Sequence, residues 1–268
     1  MIDDLLEELL RARKARTPCV LATIAATTGS VPRAAGSKMI IYVDGKSSGT
    51  IGGGKFEALV VEEAIGMSCA KEPSLKTYPL HEGQPESFGA ICGGGATVLF
   101  EPQALSEAIH LIGGGHCSRA IGKLAVEAGF FVNVIEDRPE QLEDWPSSVQ
   151  QTTTVSPPDF IAGHPWQSDD ALVMVSRNHE IDRAALAAAV EHAGAAGFIG
   201  MIGSKRKVRM VFDRLREGGA SDEKLARVYA PLGLDIGADS PAEIAISALA
   251  EIIAVLRKRD AAHLRLAL

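Results

Sequence analysis

The sequence lacks several features that would place the protein in a broad class. It has no apolar run of the roughly 18 residues that a membrane-spanning helix needs. Its net charge of −7 argues against a general nucleic-acid binder, because neutralising phosphates requires clustered lysines and arginines. The four cysteines form no CxxC pair and show no zinc-ligand spacing, and the acidic, amphipathic start is unlike a signal peptide. We therefore expect a cytoplasmic protein with free thiols and no membrane or nucleic-acid partner.

The length of 268 residues and the 46% hydrophobic content favour two domains with substantial cores. Residues 1–103 begin with an amphipathic helix and continue with strand candidates that do not alternate regularly with helices. This pattern predicts a small mixed α/β N-terminal domain.

Residues 104–268 instead alternate between buried-strand runs and helical segments. A strand, a glycine turn, a helix and a second strand follow one another over 108–140, with further strands at 171–176 and 197–203. Ser240, Pro241 and Glu243 mark the start of a long closing helix with a capping box. The pattern predicts a Rossmann-like, doubly wound parallel sheet, so the fold class is α/β. The proline-containing stretch 141–170 is predicted to be loop-rich and to lie over the edge of this sheet.

The glycine turn after the first of these strands has the pattern of a phosphate-binding loop. Gly113, Gly115 and Ser118 occupy the positions of G-x-G-x-x-(G/A/S), and a phosphate would lie at the N-terminus of the next helix. Glu136 and Asp137 end the second strand, where an acidic residue contacts a ribose hydroxyl. The turn is therefore a candidate nucleotide site; the alternative is a turn that only packs the sheet.

Basic and imidazole side chains near these predicted strand ends are further candidates. The stretch 203–209 places four positive charges at a helix start, where they oppose the helix dipole, so a bound phosphate or an acidic partner is expected to offset them. A solvated basic face is the alternative. His179 follows a strand end, where open α/β sheets bind ligands, or else belongs to the cap of the next helix. His116 lies within the glycine turn, where its ring faces the ligand crevice or, alternatively, only contacts solvent. The candidates in this group are His116, His179, Lys205 and Arg206.

In the first domain, Cys92 lies directly before three glycines. Glycine neighbours leave the thiol unshielded and allow a close approach of the backbone to a ligand. Cys92 is therefore a candidate ligand-binding residue, and a small buried residue at a strand start is the structural alternative. Two further loops are rich in anion donors, and their candidate residues are Gly52, Gly53, Gly54 and Lys55 in one loop and Arg33, Ser37 and Lys38 in the other.

With these residues identified, the chain resembles the XdhC/CoxI family of xanthine dehydrogenase accessory proteins from end to end. The blocks "GSVPRAAGSKM", "GTIGGGKFE" and "CGGG" in the first domain are similar to those of the family. In the second domain "GGGH", "VIEDRPE", "SRNHEID", "IGMIGSKRK" and "GLDIGADSPAEIAISALAEI" follow in the family's order. Many separated blocks in one order are more specific than a single glycine motif.

The resemblance implies a chaperone for the molybdenum cofactor, which is carried as molybdenum-molybdopterin cargo. Such a protein would bind the cofactor while a cysteine desulfurase-type donor supplies sulfur, and would then insert it into an apo-xanthine dehydrogenase-type molybdoenzyme. By resemblance, Cys92 is the metal ligand, and a homodimer is expected. Lys55 departs from the family pattern, because many relatives have a cysteine there; it could instead meet the pterin phosphate. The remaining matches are Gly93 and Gly94 in the CGG block and Gly113, Gly115 and His116 in the Rossmann turn.

Two other functions remain open from the residues alone. An NAD(P)-dependent oxidoreductase would use the turn Gly113–Ser118, with His116 or His179 as proton donor. A purely structural assembly factor would not need Cys92. The Rossmann half could bind a nucleotide, a dinucleotide form of the cofactor, or only a partner protein.

Overall fold

The computed structural model describes residues 2–67, 72–80, 94–103, 107–143, 145–153 and 156–264. The chain divides into two compact units, Met1–Leu105 and Ser106–Leu268. Among the described residues, none of the helices has the length and apolar character needed to cross a bilayer.

In its described residues, the first unit is an antiparallel sheet with two helices. Its five strands are ordered β3-β2-β1-β5-β4, and all pairings are antiparallel. This arrangement confirms the small mixed α/β unit. The elements are α1 (Ile2–Lys14), β1 (Cys19–Thr28), β2 (Lys38–Tyr42), β3 (Ser47–Gly49), α2 (Gly54–Gly66), β4 (Ser74–Leu80) and β5 (Gly94–Gln103).

Helices cover both faces of the central strand β1, which explains why its first six residues are all buried. Side chains alternate between the two faces of a strand. Val20, on one face, belongs to the core that includes Phe56 and Val60 of α2. Leu21, on the other face, packs with Leu5 of α1. The continuous apolar run of β1 therefore reflects burial on both sides.

The second unit is a six-stranded, wholly parallel sheet. Its order is β8-β7-β6-β9-β10-β11, which corresponds to the Rossmann order 3-2-1-4-5-6 and confirms the predicted fold. The strands are β6 (Ala108–Ile112), β7 (Phe131–Glu136), β8 (Gln150–Thr153), β9 (Asp170–Met174), β10 (Phe198–Met201) and β11 (Val228–Tyr229). The helices are α3 (His116–Glu127), α4 (Pro157–Gly163), α5 (His179–His192), α6 (Lys205–Glu217), α7 (Asp222–Leu225) and α8 (Pro241–Leu256), with a 3-10 turn at Pro139–Gln141.

Two apolar cores lie on the two faces of this sheet. Helices α3 and α8 cover the face that carries Ile109 and Leu111. Helices α4, α5 and α6 cover the opposite face, which carries Ile112 and Leu172. The doubly wound arrangement leaves the carboxyl ends of β6 and β9 at the point where the strand order reverses, which is where such sheets bind ligands.

Local signals in the sequence explain where helices begin, and one stretch without an apolar signal was predicted wrongly. The capping box at Ser240 and Glu243 is present as predicted. The stretch 141–170, expected to be loops over the edge of the sheet, instead contains the edge strand β8 and the helix α4. The residues of β8 are all polar and give no hydrophobic signal, and the prolines after Ser156 begin α4 rather than interrupt a helix.

Candidate functional site

The glycine turn after β6 lies at the switch point of the parallel sheet. Gly113 has a φ of +113°, and a Cβ added to it would lie 2.6 Å from the carbonyl oxygen of Val175. Its N–H donates to the carbonyl of Ile135 at 2.8 Å. The turn is therefore held between the ends of β7 and β9, and only glycine fits at this position.

Glu136, predicted to contact a ribose hydroxyl, binds the glycine turn itself. Its carboxylate is buried and accepts the N–H of Gly114 at 2.8 Å. The same carboxylate accepts from Nε of Arg138 at 3.0 Å. The N–H of Gly114 thus already donates to a carboxylate of the chain itself.

Asp137 forms a two-point ion pair with Arg177, which follows β9. The guanidinium nitrogens lie 2.6 and 2.9 Å from the two carboxylate oxygens, and Nη1 also lies 3.3 Å from Glu136. The hydrogen bonds from Arg177 hold the pKa of Asp137 well below its usual range. Because β7 and β9 flank β6, this pair bridges the two sides of the glycine turn. We call Glu136, Asp137, Arg138 and Arg177 the switch-point network.

The crevice beside this network is small. Its volume is about 50 Å³, and its lining includes Gly113, Asp137, Pro157 and Arg177. Ligand pockets are typically about 300–1,000 Å³. At this volume the crevice would not enclose a dinucleotide.

The basic block after β10 has an acidic partner within the chain. Nζ of Lys207 lies 2.5 Å from the fully buried carboxylate of Asp182, which also accepts the N–H of Ser176 at 3.1 Å. This pair offsets one of the four positive charges without a bound phosphate. Lys205 and Arg206 are exposed.

Lys205 lines a larger cavity at the carboxyl ends of β10 and β11. The cavity measures about 520 Å³ and is bounded by residues 231–238 together with Ile244 and Ser247. The Ser247 hydroxyl donates to the carbonyl of Leu234 at 2.6 Å, and Gly233 N–H donates to Glu251 at 2.7 Å. The "GLDIGADSP" block thus forms one wall of a cavity large enough for a small ligand.

Both candidate histidines are the first residues of helices and are exposed. His116 begins α3 after the N-cap residue Gly115. His179 begins α5, and its Nε2 lies 3.3 Å from Glu180. His179 thus lies at the start of a helix, and its predicted ligand role stays a prediction. Ser118 is fully buried, consistent with the small residue needed where a helix packs against the sheet.

In the first unit, the carboxylate of Glu57 binds the loop that contains Gly52, Gly53 and Gly54. This carboxylate accepts the hydroxyl of Thr50 at 2.6 Å and the N–H groups of Gly53 and Ile51 at 3.0 and 3.2 Å. Burial raises the pKa of this carboxyl, but these hydrogen bonds outweigh it, so the pKa lies below its usual range. Both glycine loops therefore hold a carboxylate of the chain itself.

The other anion-donor loop packs beside these glycines. A Cβ added to Gly52 would lie 2.9 Å from Pro32, so the loops meet at this point. Two of the polar candidates have internal partners: Nζ of Lys38 donates to the Thr23 hydroxyl at 2.9 Å, and the Ser37 hydroxyl donates to the carbonyl of Ala34 at 2.8 Å. Arg33 and Lys55 are the exposed cations.

Cys92 and Gly93 lie outside the described residues, so their predicted roles stay predictions. Gly94 is the first residue of β5. A Cβ there would overlap the carbonyl oxygens of Thr28 and Ser30. A glycine is required at this position, because the strand passes against the start of the Arg33 loop.

The sequence analysis did not identify Arg138 and Arg177 as residues of this region, and it did not pair Lys207, one of the four charges of 203–209, with Asp182. Each stands in a motif that was identified. Arg138 has its partner Glu136 in the same motif, whereas the partners of Arg177 and Lys207 lie in other motifs. Their charge was the available signal, and the strand order was needed to pair them.

Comparisons with known proteins identify the family. The sequence model of the XdhC Rossmann domain matches residues 109–252, and that of the XdhC and CoxI family matches residues 12–79. The chain is 34% identical over 251 residues to the uncharacterized protein YqeB of Escherichia coli K12, covering 92% of this chain and 45% of YqeB. It is 30% identical over 153 residues to a protein of Bacillus subtilis 168 named as a probable subunit of xanthine dehydrogenase, covering 56% of this chain and 43% of that protein.

A solved structure has the same fold. The crystal structure of a xanthine dehydrogenase from Bacillus halodurans matches with a TM-score of 0.51 and 22% identity, covering 94% of this chain and 96% of that one. The chain spans less than half the length of the two curated relatives that it matches. The family models match both compact units, and the longer of the two matches covers more than half of the chain. The chain therefore belongs to the XdhC and CoxI family.

Proposed function

We propose that the protein is an accessory protein for a xanthine dehydrogenase-type molybdoenzyme. It binds molybdenum-molybdopterin as cargo, supports its sulfuration by a cysteine desulfurase-type donor, and inserts it into the apo-enzyme. The observation that carries the proposal is the family match in both units, at residues 12–79 and 109–252. The Bacillus subtilis relative, named as a probable subunit of xanthine dehydrogenase, supports the choice of client.

The first unit offers side chains suited to this cargo. Arg33 and Lys55 are exposed cations on the two glycine-containing loops, and they suit a pterin phosphate. Among the described residues, no atom lies within 4 Å of a Cβ placed on Gly53 or Gly54, so the backbone there can be approached closely. Because Glu57 already accepts two amides of this loop, the phosphate would pair with the side chains rather than with those amides. Cys92 would supply the thiolate to molybdenum.

The oxidoreductase alternative has less support. A nicotinamide dinucleotide would need the crevice beside Gly113, which is about 50 Å³ and is bridged by Arg177 and Asp137. Gly114 also already donates its N–H to Glu136. If the second unit binds a nucleotide or a dinucleotide form of the cofactor, the cavity beside Lys205 has the more suitable volume.

The test is anaerobic co-expression of the full chain with molybdenum-cofactor synthesis, followed by oxidation and detection of fluorescent pterin. We expect the wild-type protein to retain pterin and to activate an apo-xanthine dehydrogenase in vitro. Cys92→Ser should lose most of both signals, whereas Cys117→Ser, which changes a half-buried thiol of α3, should keep them. Wild-type protein that never carries pterin, even with cofactor supplied, would refute the proposal.

Two partner predictions belong to the same proposal. We expect a homodimer, measured by light scattering of the purified chain. We also expect a cysteine desulfurase-type protein to increase the activity of the client only when this chain carries cofactor. Equal activation with and without the chain would contradict the sulfuration step.

A further inference from the structure

We propose that His110, His164 and Asp170 form a binding site for one divalent cation of the zinc class in the second unit. One ligand atom from each residue lies within 4.8 Å of the other two. His110 belongs to β6, Asp170 begins β9, and His164 follows α4. The proposal concerns this unit alone and does not depend on the proposed function.

The strand register brings two of these residues to one face of the sheet. Ala108 pairs with Asp170 and His110 pairs with Leu172 in the parallel β6–β9 ladder. Paired residues, and residues two apart along a strand, project from the same face, so Asp170 and His110 lie on one side.

The helix α4 and the segment after it supply the third ligand. Helix α4 packs on this face, and His164 follows it directly, with its N–H donating to the carbonyl of Phe160 at 3.0 Å. Trp166 is fixed by an indole hydrogen bond of 2.8 Å to the carbonyl of Ile161. The position of His164 is therefore set by local hydrogen bonds.

The distances suit a shared ion. Nε2 of His110 lies 3.8 Å from one oxygen of Asp170, and Nε2 of His164 lies 3.6 Å from the other. Both exceed hydrogen-bond length. Zinc bonds of about 2.0 Å at tetrahedral angles place neighbouring ligand atoms about 3.3 Å apart, so small side-chain movements suffice. The N–H of Gln167 donates to Asp170 at 2.9 Å and orients the carboxylate, as outer contacts do in metal sites.

The surroundings favour a four-coordinate ion. The side chains of His110 and Asp170 are each 1% exposed, and that of His164 is 19% exposed. The rings of Phe160 and Trp166 lie 5.2 and 4.5 Å from the His164 ring and give it an aromatic environment. Two imidazoles and one carboxylate are a donor set typical of zinc, with a fourth position on the His164 side.

The experiment uses the full chain freed of metal with a chelator and titrated with Zn²⁺ and with Co²⁺. We expect one ion per chain, an intense tetrahedral cobalt spectrum, and quenching of the fluorescence of Trp166 by Co²⁺. His164→Gln and Asp170→Asn should each weaken binding at least tenfold and remove the tetrahedral spectrum. The matched control His192→Gln changes an exposed histidine at the end of α5 and should bind as the wild type does.

A second readout does not depend on the spectrum. Zinc should raise the melting temperature of the wild type and of His192→Gln, but not that of His164→Gln, because only a folded site binds the ion. The proposal is overturned if the two ligand variants bind Zn²⁺ and Co²⁺ with the wild-type affinity and spectrum. It is equally overturned if the metal-free wild type takes up no ion, since the three residues would then form only a buried polar contact.

Discussion

Arg177 and Asp137 form a two-point ion pair, with N–O distances of 2.6 and 2.9 Å, over the glycine turn of the Rossmann unit. Forty residues separate them in the chain. They meet because β7 and β9 are the two neighbours of β6 in the sheet. The residue that a sequence pattern assigns to a ribose is therefore already bound by the chain's own arginine.

This ion pair predicts a specific pH dependence. The pKa of Asp137 is lower in the folded chain than its unfolded value of about 3.9, so its contribution to stability is complete above about pH 4 to 5. That contribution disappears as the pH falls toward the folded pKa. Asp137→Asn should therefore be less stable than the wild type at pH 7, and the difference should shrink on acidification to pH 3.

The measurement is urea unfolding followed by tryptophan fluorescence, since both tryptophans, Trp145 and Trp166, belong to the second unit. Glu217→Gln, at an exposed carboxylate of α6, is the control variant. A difference in the free energy of unfolding between the wild type and Asp137→Asn that stays constant over the whole pH range would contradict the prediction.

Gly113 is predicted to tolerate no side chain. Gly113→Ala combines a φ of +113° with a Cβ placed 2.6 Å from the Val175 carbonyl, and it should lower the free energy of unfolding by about 2–4 kcal/mol. In the matched control Gly115→Ala, φ is −72° and no described atom lies within 4 Å of the new Cβ. The control should lose less than about 1 kcal/mol in the same urea experiment. Equal losses in both variants would show that the close approach at Gly113 does not matter.

The basic block after β10 is predicted to contain one residue needed for stability. Lys207→Met leaves the buried carboxylate of Asp182 without its ammonium partner and should reduce the free energy of unfolding by about 3 kcal/mol. The exposed Lys205→Met should change it by less than about 0.5 kcal/mol. The double variant Asp182→Asn with Lys207→Met should recover part of the loss, because no unpaired buried charge remains. A double variant as unstable as the sum of the single variants would refute this pairing.

The glycine loop of the first unit is predicted to depend on the charge of Glu57. Glu57→Gln replaces a carboxylate that accepts from Thr50, Ile51 and Gly53 and should weaken the loop by about 1–2 kcal/mol. Hydrogen exchange of the amides at positions 51–53 should accelerate accordingly. The exposed Glu62→Gln in the same helix is the control. Unchanged exchange at positions 51–53 in Glu57→Gln would be incompatible with this role.

Local signals predicted much of the fold. The alternation of apolar runs and helices in the second unit, the turn at Gly113 and the capping box at Ser240 depend on residues close together in the chain, and the structure contains all three. The edge strand β8 was missed because its residues Gln150–Thr153 are all polar and give no hydrophobic signal. The cargo site was inferred mainly from the resemblance, and Cys92 lies outside the described residues.

The sequence by itself determined where the long helices and many of the strands lie, which glycines form turns, and which family the chain resembles. Only the tertiary structure decided which charged residues meet: Arg177 with Asp137, Lys207 with Asp182, and Glu136 with the glycine turn. It also brought His110 and His164 to one carboxylate, that of Asp170. The physical reason is that hydrophobic burial sets the order and register of the strands, and an ion pair or ligand set forms only where that order brings distant side chains within a few ångströms.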